Sequence, residues 1–248
     1  MKKILFLIII VLPFKLSAQA ELVEIKDPKA KIREEYYVLT SDKKIREGEY
    51  KKFDYYSAQL NHTGFYKNNH KDSIWRYYLS GDKQNVSLEG NYQNDKRVGI
   101  WNSYNNGEVQ VSYDYSAGKL LFYKPTLTDS TRRYRVYNGK DTIMTQLSRP
   151  PVFLDGSALF ARSIIRAINY PLEARTNLQQ GKPFVTFTIN ADGTLSDYHV
   201  EIPSASQSLN QEALRVVKSV EGKWLPGLLD GKPVKMLYEV PVSFRLAL

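Results

Sequence analysis

The sequence predicts an α+β protein of two unlike parts: N-terminal antiparallel β-hairpin repeats, then a small domain with helices packed on a three-stranded antiparallel sheet. Three observations support this prediction. Most of the 18 tyrosines lie between Tyr36 and Tyr137, two similar segments follow one another there, and helical periodicity begins only after Asp155. Such a change in composition and in hydrophobic period indicates a domain boundary.

Residues 1–20 have the layout of a secretory signal peptide. The segment MKKILFLIIIVLPFKLSAQA begins with lysines, continues with an apolar run from Ile4 to Phe14, and ends with the small residues Ala18 and Ala20. This run is shorter than the roughly 20 residues that a membrane-spanning helix needs. We therefore expect cleavage near Ala18 or Ala20 and a periplasmic mature protein. The alternatives are secretion and retention of the segment as a short anchor.

Composition excludes several classes of function. The chain has 248 residues, no cysteine and a formal net charge of +9. Without cysteine there is no disulfide, no thiolate metal site and no lipid attached at a cysteine. The basic excess is mild and interspersed with acidic residues, whereas binding along phosphates needs a concentrated basic stripe. We expect no nucleic-acid partner, no metal and no cofactor.

The tyrosine-rich part contains an internal repeat. GFYKNNHKDSIWRYYLSGD from Gly64 aligns without a gap with GNYQNDKRVGIWNSYNNGE from Gly90, placing Trp75 on Trp101. Each unit reads as a strand, a polar turn and a second strand, so we predict hairpins that stack to bury their aromatic side chains. The pattern resembles MORN-type repeats over roughly residues 36–123. We interpret both tryptophans as core residues rather than as a ligand platform.

The two parts meet at SRPP, Ser148 to Pro151, because two prolines in a polar stretch favour an extended connector. The predicted organisation is a signal peptide at 1–20, a repeat domain at 21–147, a linker at 148–156 and a C-terminal domain at 157–248.

After the linker, the predicted order of elements is helix, strand, strand, helix, strand. Phe160, Ile164 and Ile168 recur every four residues and predict an amphipathic helix that ends before Pro171. Two alternating segments joined by Asp192 and Gly193 predict a hairpin.

The next segment predicts a helix that opens at Ser208 and ends near Trp224. The final strand alternates, and one of its faces is strongly apolar. That face comprises Met236, Tyr238, Val240, Val242 and Phe244.

An ordered set of motifs in this tail resembles the C-terminal domain of TonB. The motif residues are Tyr170, Pro171, Ala174, Arg175, Gly181, Asp192, Gly193, Trp224, Pro226, Gly227, Pro241 and Phe244. The resemblance implies a periplasmic domain that grips an extended peptide segment of an outer-membrane transporter.

Pro241 lies within the final strand, where a proline is tolerated only if the missing amide would face no partner, as on an edge. The odd-numbered amides should then face the open side and the even-numbered ones should pair inward. The resemblance implies that a guest peptide adds to this edge by β-augmentation. The partner-binding residues that it implies are Leu237, Glu239, Pro241, Ser243, Arg245, Tyr170 and Pro171. The alternative is an edge covered by the chain's own N-terminal module or by a second copy.

No catalytic set is visible in the sequence. His62, His70 and His199 show no spacing typical of a metal site or a general base, and we interpret them as surface imidazoles. A nucleophile elbow and a glycine-rich phosphate loop are also absent from the sequence. The first hypothesis is therefore a non-catalytic periplasmic adapter that binds an outer-membrane transporter or another envelope protein. The second is an envelope scaffold whose repeats and tail domain self-associate, as in a homodimer.

Overall fold

The computed structural model describes residues 20–29, 32–79, 85–126 and 131–246. Residues 1–19, which make up almost all of the predicted signal peptide, lie outside these ranges. Within them, none of the helices has the length and apolar character that crossing a membrane would require.

The N-terminal part forms one nine-stranded antiparallel sheet whose strands are ordered as in the chain. Its strands are β1 (Ala20–Asp27), β2 (Ile32–Leu39), β3 (Arg46–Asp54), β4 (Leu60–Lys67), β5 (His70–Tyr78), β6 (Val86–Gln93), β7 (Lys96–Asn105), β8 (Glu108–Asp114) and β9 (Lys119–Tyr123). The turns after β4 and β6 contain Asn68, Asn69, Asn94 and Asp95, all with positive φ. Two successive positive φ values match the twist of tight hairpins. The predicted run of hairpins is confirmed.

One face of this sheet buries a ladder of aromatic rings. Trp75 and Trp101 are 0% and 2% exposed, so their interpretation as core residues is confirmed. Trp75 stacks on Tyr50, with 5.5 Å between the ring centroids. A cation lies over the rings in successive repeats: Lys71 over Trp75 at 4.5 Å and Arg97 over Trp101 at 4.2 Å. The ladder therefore joins neighbouring hairpins through ring and cation contacts.

The C-terminal sheet has five strands in the order β11-β10-β18-β13-β14. They are β10 (Arg133–Asn138), β11 (Asp141–Gln146), β13 (Phe184–Ile189), β14 (Leu195–Ile202) and β18 (Met236–Pro241). The prediction of three strands, with residues up to 147 in the repeat domain, is wrong at this point. Tyr134 and Val136 of β10 are buried in the C-terminal core, which explains why this hairpin joins the second sheet.

The C-terminal part also contains the helices α1 (Ser157–Ala167), α2 (Leu172–Thr176) and α3 (Gln207–Lys218). Phe160 and Ile164 of α1 are buried, as their spacing predicts. The buried apolar residues of α3 are Leu209, Ala213, Val216 and Val217. They pack in one core with Val185, Phe187 and Ile189 of β13.

The segment around Trp224 differs from the prediction. Helix α3 ends at Lys218, and β15 (Trp224–Leu225) pairs with β12 (Val152–Phe153). The Trp224 ring packs among Phe153, Phe160, Phe187 and Tyr238. A short hairpin of β16 (Leu228–Leu229) and β17 (Lys232–Pro233) then leads into β18.

The predicted linker is buried and joins the two parts of the structure. Val152 and Leu154 are 2% and 3% exposed, and they pack with Val111 and Tyr113 of the repeat sheet. Asp155 forms a bidentate ion pair with Arg97, one of whose nitrogens lies 2.9 Å from Oδ2. The segment 148–156, predicted as an extended connector, is therefore packed against the rest of the protein, because its apolar residues face both sheets.

Candidate functional site

Strand β18 alternates as its proline predicts. The amide of Val242 donates to the carbonyl of Pro183 at 3.0 Å, and the amide of Phe244 donates to Gly181 at 2.8 Å. Even-numbered amides therefore face β13, and the groups of Glu239, Pro241 and Ser243 face the other side. We call this side, from Glu239 to Ser243, the outer flank.

Strand β18 is an interior strand of the sheet, because β10 pairs with its first residue. The contact consists of one registered pair, Val136 with Met236, and a hydrogen bond of 3.0 Å from the Tyr137 amide to the Lys235 carbonyl. The prediction that β18 is an edge strand is therefore wrong at its beginning, next to Leu237. The chain covers this end because the apolar residues of β10 share the core of β18.

The outer flank has no pairing strand among the residues that the structure describes. A groove of about 360 Å³ lies between it and helix α1. The helix and its C-cap residue contribute mainly apolar side chains, which are Phe160, Ala161, Ile164, Ile165 and Ile168. Ile165 is 68% exposed although it belongs to an apolar helix face. The groove thus combines a strand flank, to which no described strand pairs, with an apolar wall.

Arg132 closes the end of the groove that lies next to β10. Its guanidinium donates to the carbonyl of Glu239 at 3.5 Å and lies over the rings of Tyr134 and Tyr238, at 5.1 and 5.3 Å. Arg132 was not predicted as a site residue, because it precedes a strand whose position next to β18 was not predicted. Ile165 lies beside the predicted helical stripe, and the sequence pattern does not show that its side chain is exposed.

Tyr170 and Pro171 lie at the far end of β18, in the turn between α1 and α2. The Tyr170 ring packs edge-on against Phe244 at 5.7 Å, and its hydroxyl donates to the Gln179 carbonyl. Pro171 caps the start of α2. Arg245 is exposed just beyond the strand. These three residues do not line the groove, so the site is centred between Glu239 and Ser243.

Glu212 holds the turn that carries Tyr170. Its carboxylate accepts from the Asn169 amide at 2.6 Å and from the Arg215 guanidinium at 2.6 Å and 2.7 Å. Burial alone would raise the pKa of Glu212, but these hydrogen bonds hold its pKa below the usual range. The charged carboxylate therefore fixes α1 and α2 against α3.

The interpretation of the three histidines as surface imidazoles is wrong for His62. His62 packs among Tyr50, Trp75 and Tyr77, with centroid distances of 5.2 to 6.0 Å. His70 faces Asp95 at 2.6 Å and His199 faces Glu201 at 2.8 Å, both in exposed positions. Within the described part of the chain, no three histidine or acidic side chains are grouped so as to hold a metal ion.

Comparison with known proteins gives one family match, which lies in the tail. No curated protein and no solved structure matches the chain. Residues 166–246 match the family model of the Gram-negative bacterial TonB protein C-terminal. This segment includes α2, β13, β14, α3 and β18, and therefore one wall of the groove. Residues 166–246 are thus similar to the C-terminal domain of the TonB protein.

Proposed function

We propose that the protein is a non-catalytic periplasmic adapter that binds an extended segment of an outer-membrane transporter. The guest segment pairs with the outer flank of β18 and lies along α1. The observation that carries this proposal is the groove itself, in which an unpaired strand flank faces an apolar helix. The nine-stranded sheet, which resembles MORN-type repeats, serves as the platform that presents this groove.

The geometry provides the two contributions that β-augmentation needs, which are main-chain hydrogen bonds and side-chain contacts. The main-chain groups of Glu239 and Ser243 point outward, so a guest strand gains hydrogen bonds there. A strand placed about 4.8 Å from β18 would direct alternate side chains toward Ile164, Ile165 and Ile168. Apolar residues at those positions would be buried, which favours guests that alternate. Pro241 lacks an amide, so it limits the length of the added ladder.

The first test combines capture from the cell envelope with a groove substitution. The full chain should retain outer-membrane transporters from envelope extracts, and a synthetic peptide of the transporter's periplasmic segment should compete with them. Ile165→Lys should weaken the measured peptide affinity about ten-fold, because it replaces apolar contact surface with a charge. Leu172→Lys is the matched control: Leu172 is also 68% exposed but lies on α2, away from the groove.

A backbone substitution tests the strand pairing directly. Ser243→Pro removes one outward amide and should weaken binding about five- to ten-fold without unfolding the domain, since that amide has no partner in the sheet. If Ile165→Lys and Ser243→Pro both bind as the wild type does, the groove is not the site. If only the chain itself is recovered from extracts, the self-associating scaffold replaces the adapter.

A further inference from the structure

One arginine, Arg132, lines the end of the groove that adjoins β10, and two more arginines line the cavity beside it. A cavity of about 180 Å³ between β10 and β18 shares Arg132 and Glu239 with the groove. Its other lining residues are Arg133, Tyr134, Arg135, Met144 and Leu237. A guest strand on the outer flank must end here, because β10 occupies the next stretch of the same side of β18. The last residue of the guest therefore meets these arginines.

The three arginines differ in what they bind. Arg135 is neutralised by Glu201, with 2.9 Å between nitrogen and oxygen. Arg133 donates to the carbonyl of Met144 at 2.7 Å, and Arg132 donates to that of Glu239. Neither of these two forms an ion pair with any carboxylate that the structure describes. Arg132 thus stands at the end of the groove, and Arg133 lies in the adjoining cavity, with only carbonyl and ring partners.

The hydrogen bond from Arg132 occupies the Glu239 carbonyl, which a guest strand needs as an acceptor. The Glu239 carbonyl faces the outer flank, where a guest amide would donate to it. At 3.5 Å the hydrogen bond from Arg132 is long and weak, so little is lost when it is exchanged. A carboxylate on the guest would offer the released guanidinium a charge-assisted and bidentate partner.

We propose that Arg132, supported by Arg133, selects guest strands that carry a carboxylate at the end abutting β10. This inference rests on the proposed function and specifies the chemistry of its partner. The apolar positions of the guest supply contact area along α1, and the terminal acidic residue sets the register. A guest with a neutral residue at that end leaves the guanidinium without its exchange partner.

The experiment uses the full chain and end-capped peptides of about seven residues, which span the outer flank at roughly 3.3 Å per residue. The peptides alternate valine with threonine and carry aspartate or asparagine at one end, in versions for either end. Calorimetric titration at low salt should show about five-fold tighter binding of an aspartate peptide than of its asparagine counterpart. The preference should shrink as salt is added. The end at which aspartate helps also gives the direction of the guest.

Arg132→Gln should abolish the preference for aspartate, whereas Arg175→Gln, on the exposed side of α2, should keep it. Equal binding of both peptides to the wild type overturns the inference and leaves the proposed function standing. Tighter binding of both peptides to Arg132→Gln by one common factor also overturns it, since the arginine would then only obstruct Glu239. Failure of every peptide to bind overturns the proposed function and the inference together.

Discussion

At the scale of single residues, His62 shows how burial changes the chemistry of a side chain. Its imidazole packs in the aromatic ladder, with Lys52, Lys71 and Arg166 nearby. Burial, followed by the charges of these three residues, lowers the pKa of His62 to about 3. The residue is therefore neutral at any pH at which the protein is expected to work.

His62 should make stability depend on acidity. In the unfolded chain it binds a proton near pH 6.5, so between this value and pH 3 the unfolded state carries more protons. Stability is then complete above about pH 6.5 and decreases as the pH falls. From pH 7 to pH 5 we expect His62 to account for a loss of about 2 kcal/mol. Urea unfolding at the two pH values measures this loss.

The comparison variant is His62→Phe, which keeps an aromatic ring and should remove that part of the decrease. His199→Gln is the control. Hydrogen bonds with the Asp197 carbonyl and Glu201 raise the pKa of His199, which contributes stability below pH 6.5 and loses it above. Its removal should leave the acid-side decrease unchanged or steeper. The same pH dependence in His62→Phe as in the wild type would contradict the prediction.

At the scale of elements, adjacent hairpins fit together because a glycine faces each tryptophan. A Cβ built on Gly64 would lie 2.2 Å from the Trp75 ring, and one built on Gly90 would lie 2.2 Å from the Trp101 ring. Each indole also donates to a neighbouring carbonyl, as Trp101 does to Asn91 at 3.1 Å. The repeat therefore needs a residue without a side chain at this position.

Gly90→Ala should destabilise the protein by about 1–3 kcal/mol or more, because the Trp101 ring must move out of its packed position. Denaturant unfolding measures the change. In a Trp101→Leu background the same substitution should cost at least about 1 kcal/mol less, which a double-mutant cycle detects. Gly107→Ala is a backbone control, since nothing lies within 4 Å of its Cβ although φ is +79°. Equal costs of Gly90→Ala in both backgrounds would contradict the packing explanation.

The elements of the tail could be read from sequence because each follows a local pattern. The α1 stripe, the hairpin turn at Asp192 and the alternation of β18 depend on residues close in the chain, and all appear in the structure. The position of β10 does not follow from such a pattern. Its alternating residues suit either sheet, and only the shape of the C-terminal core decides which one accepts Tyr134 and Val136. The sequence therefore predicted a partner site on β18, which stays a prediction, but it indicated neither Arg132 nor the wall of α1.

At the scale of the whole molecule, Arg97 and Asp155 connect the two sheets. Their side chains are 20% and 15% exposed. Burial by itself would lower the pKa of Arg97, yet the hydrogen bond and charge of Asp155 raise it well above the usual value. Arg97 also donates to the Tyr115 hydroxyl at 2.8 Å. The ion pair thus contacts the aromatic ladder and also connects the two sheets.

Asp155→Asn should destabilise the protein by about 3–5 kcal/mol, because it leaves the largely buried Arg97 without a counter-charge. The double variant Arg97→Met with Asp155→Leu should be more stable than the single one, since no charge is then buried. Denaturant unfolding, followed by tryptophan fluorescence and by circular dichroism, measures both. If Asp155→Asn is as stable as the wild type, or loses less stability than the double variant, the ion pair is not needed for stability.

The buried segment between the sheets has a mechanical consequence. A strand laid along β18 is loaded in shear when it is pulled lengthwise, so several main-chain hydrogen bonds resist at once. The load would then pass through Trp224, which pairs with β12, into the nine-stranded sheet against which Val152 packs. Tension on a bound guest segment would therefore be transmitted to the nine-stranded sheet.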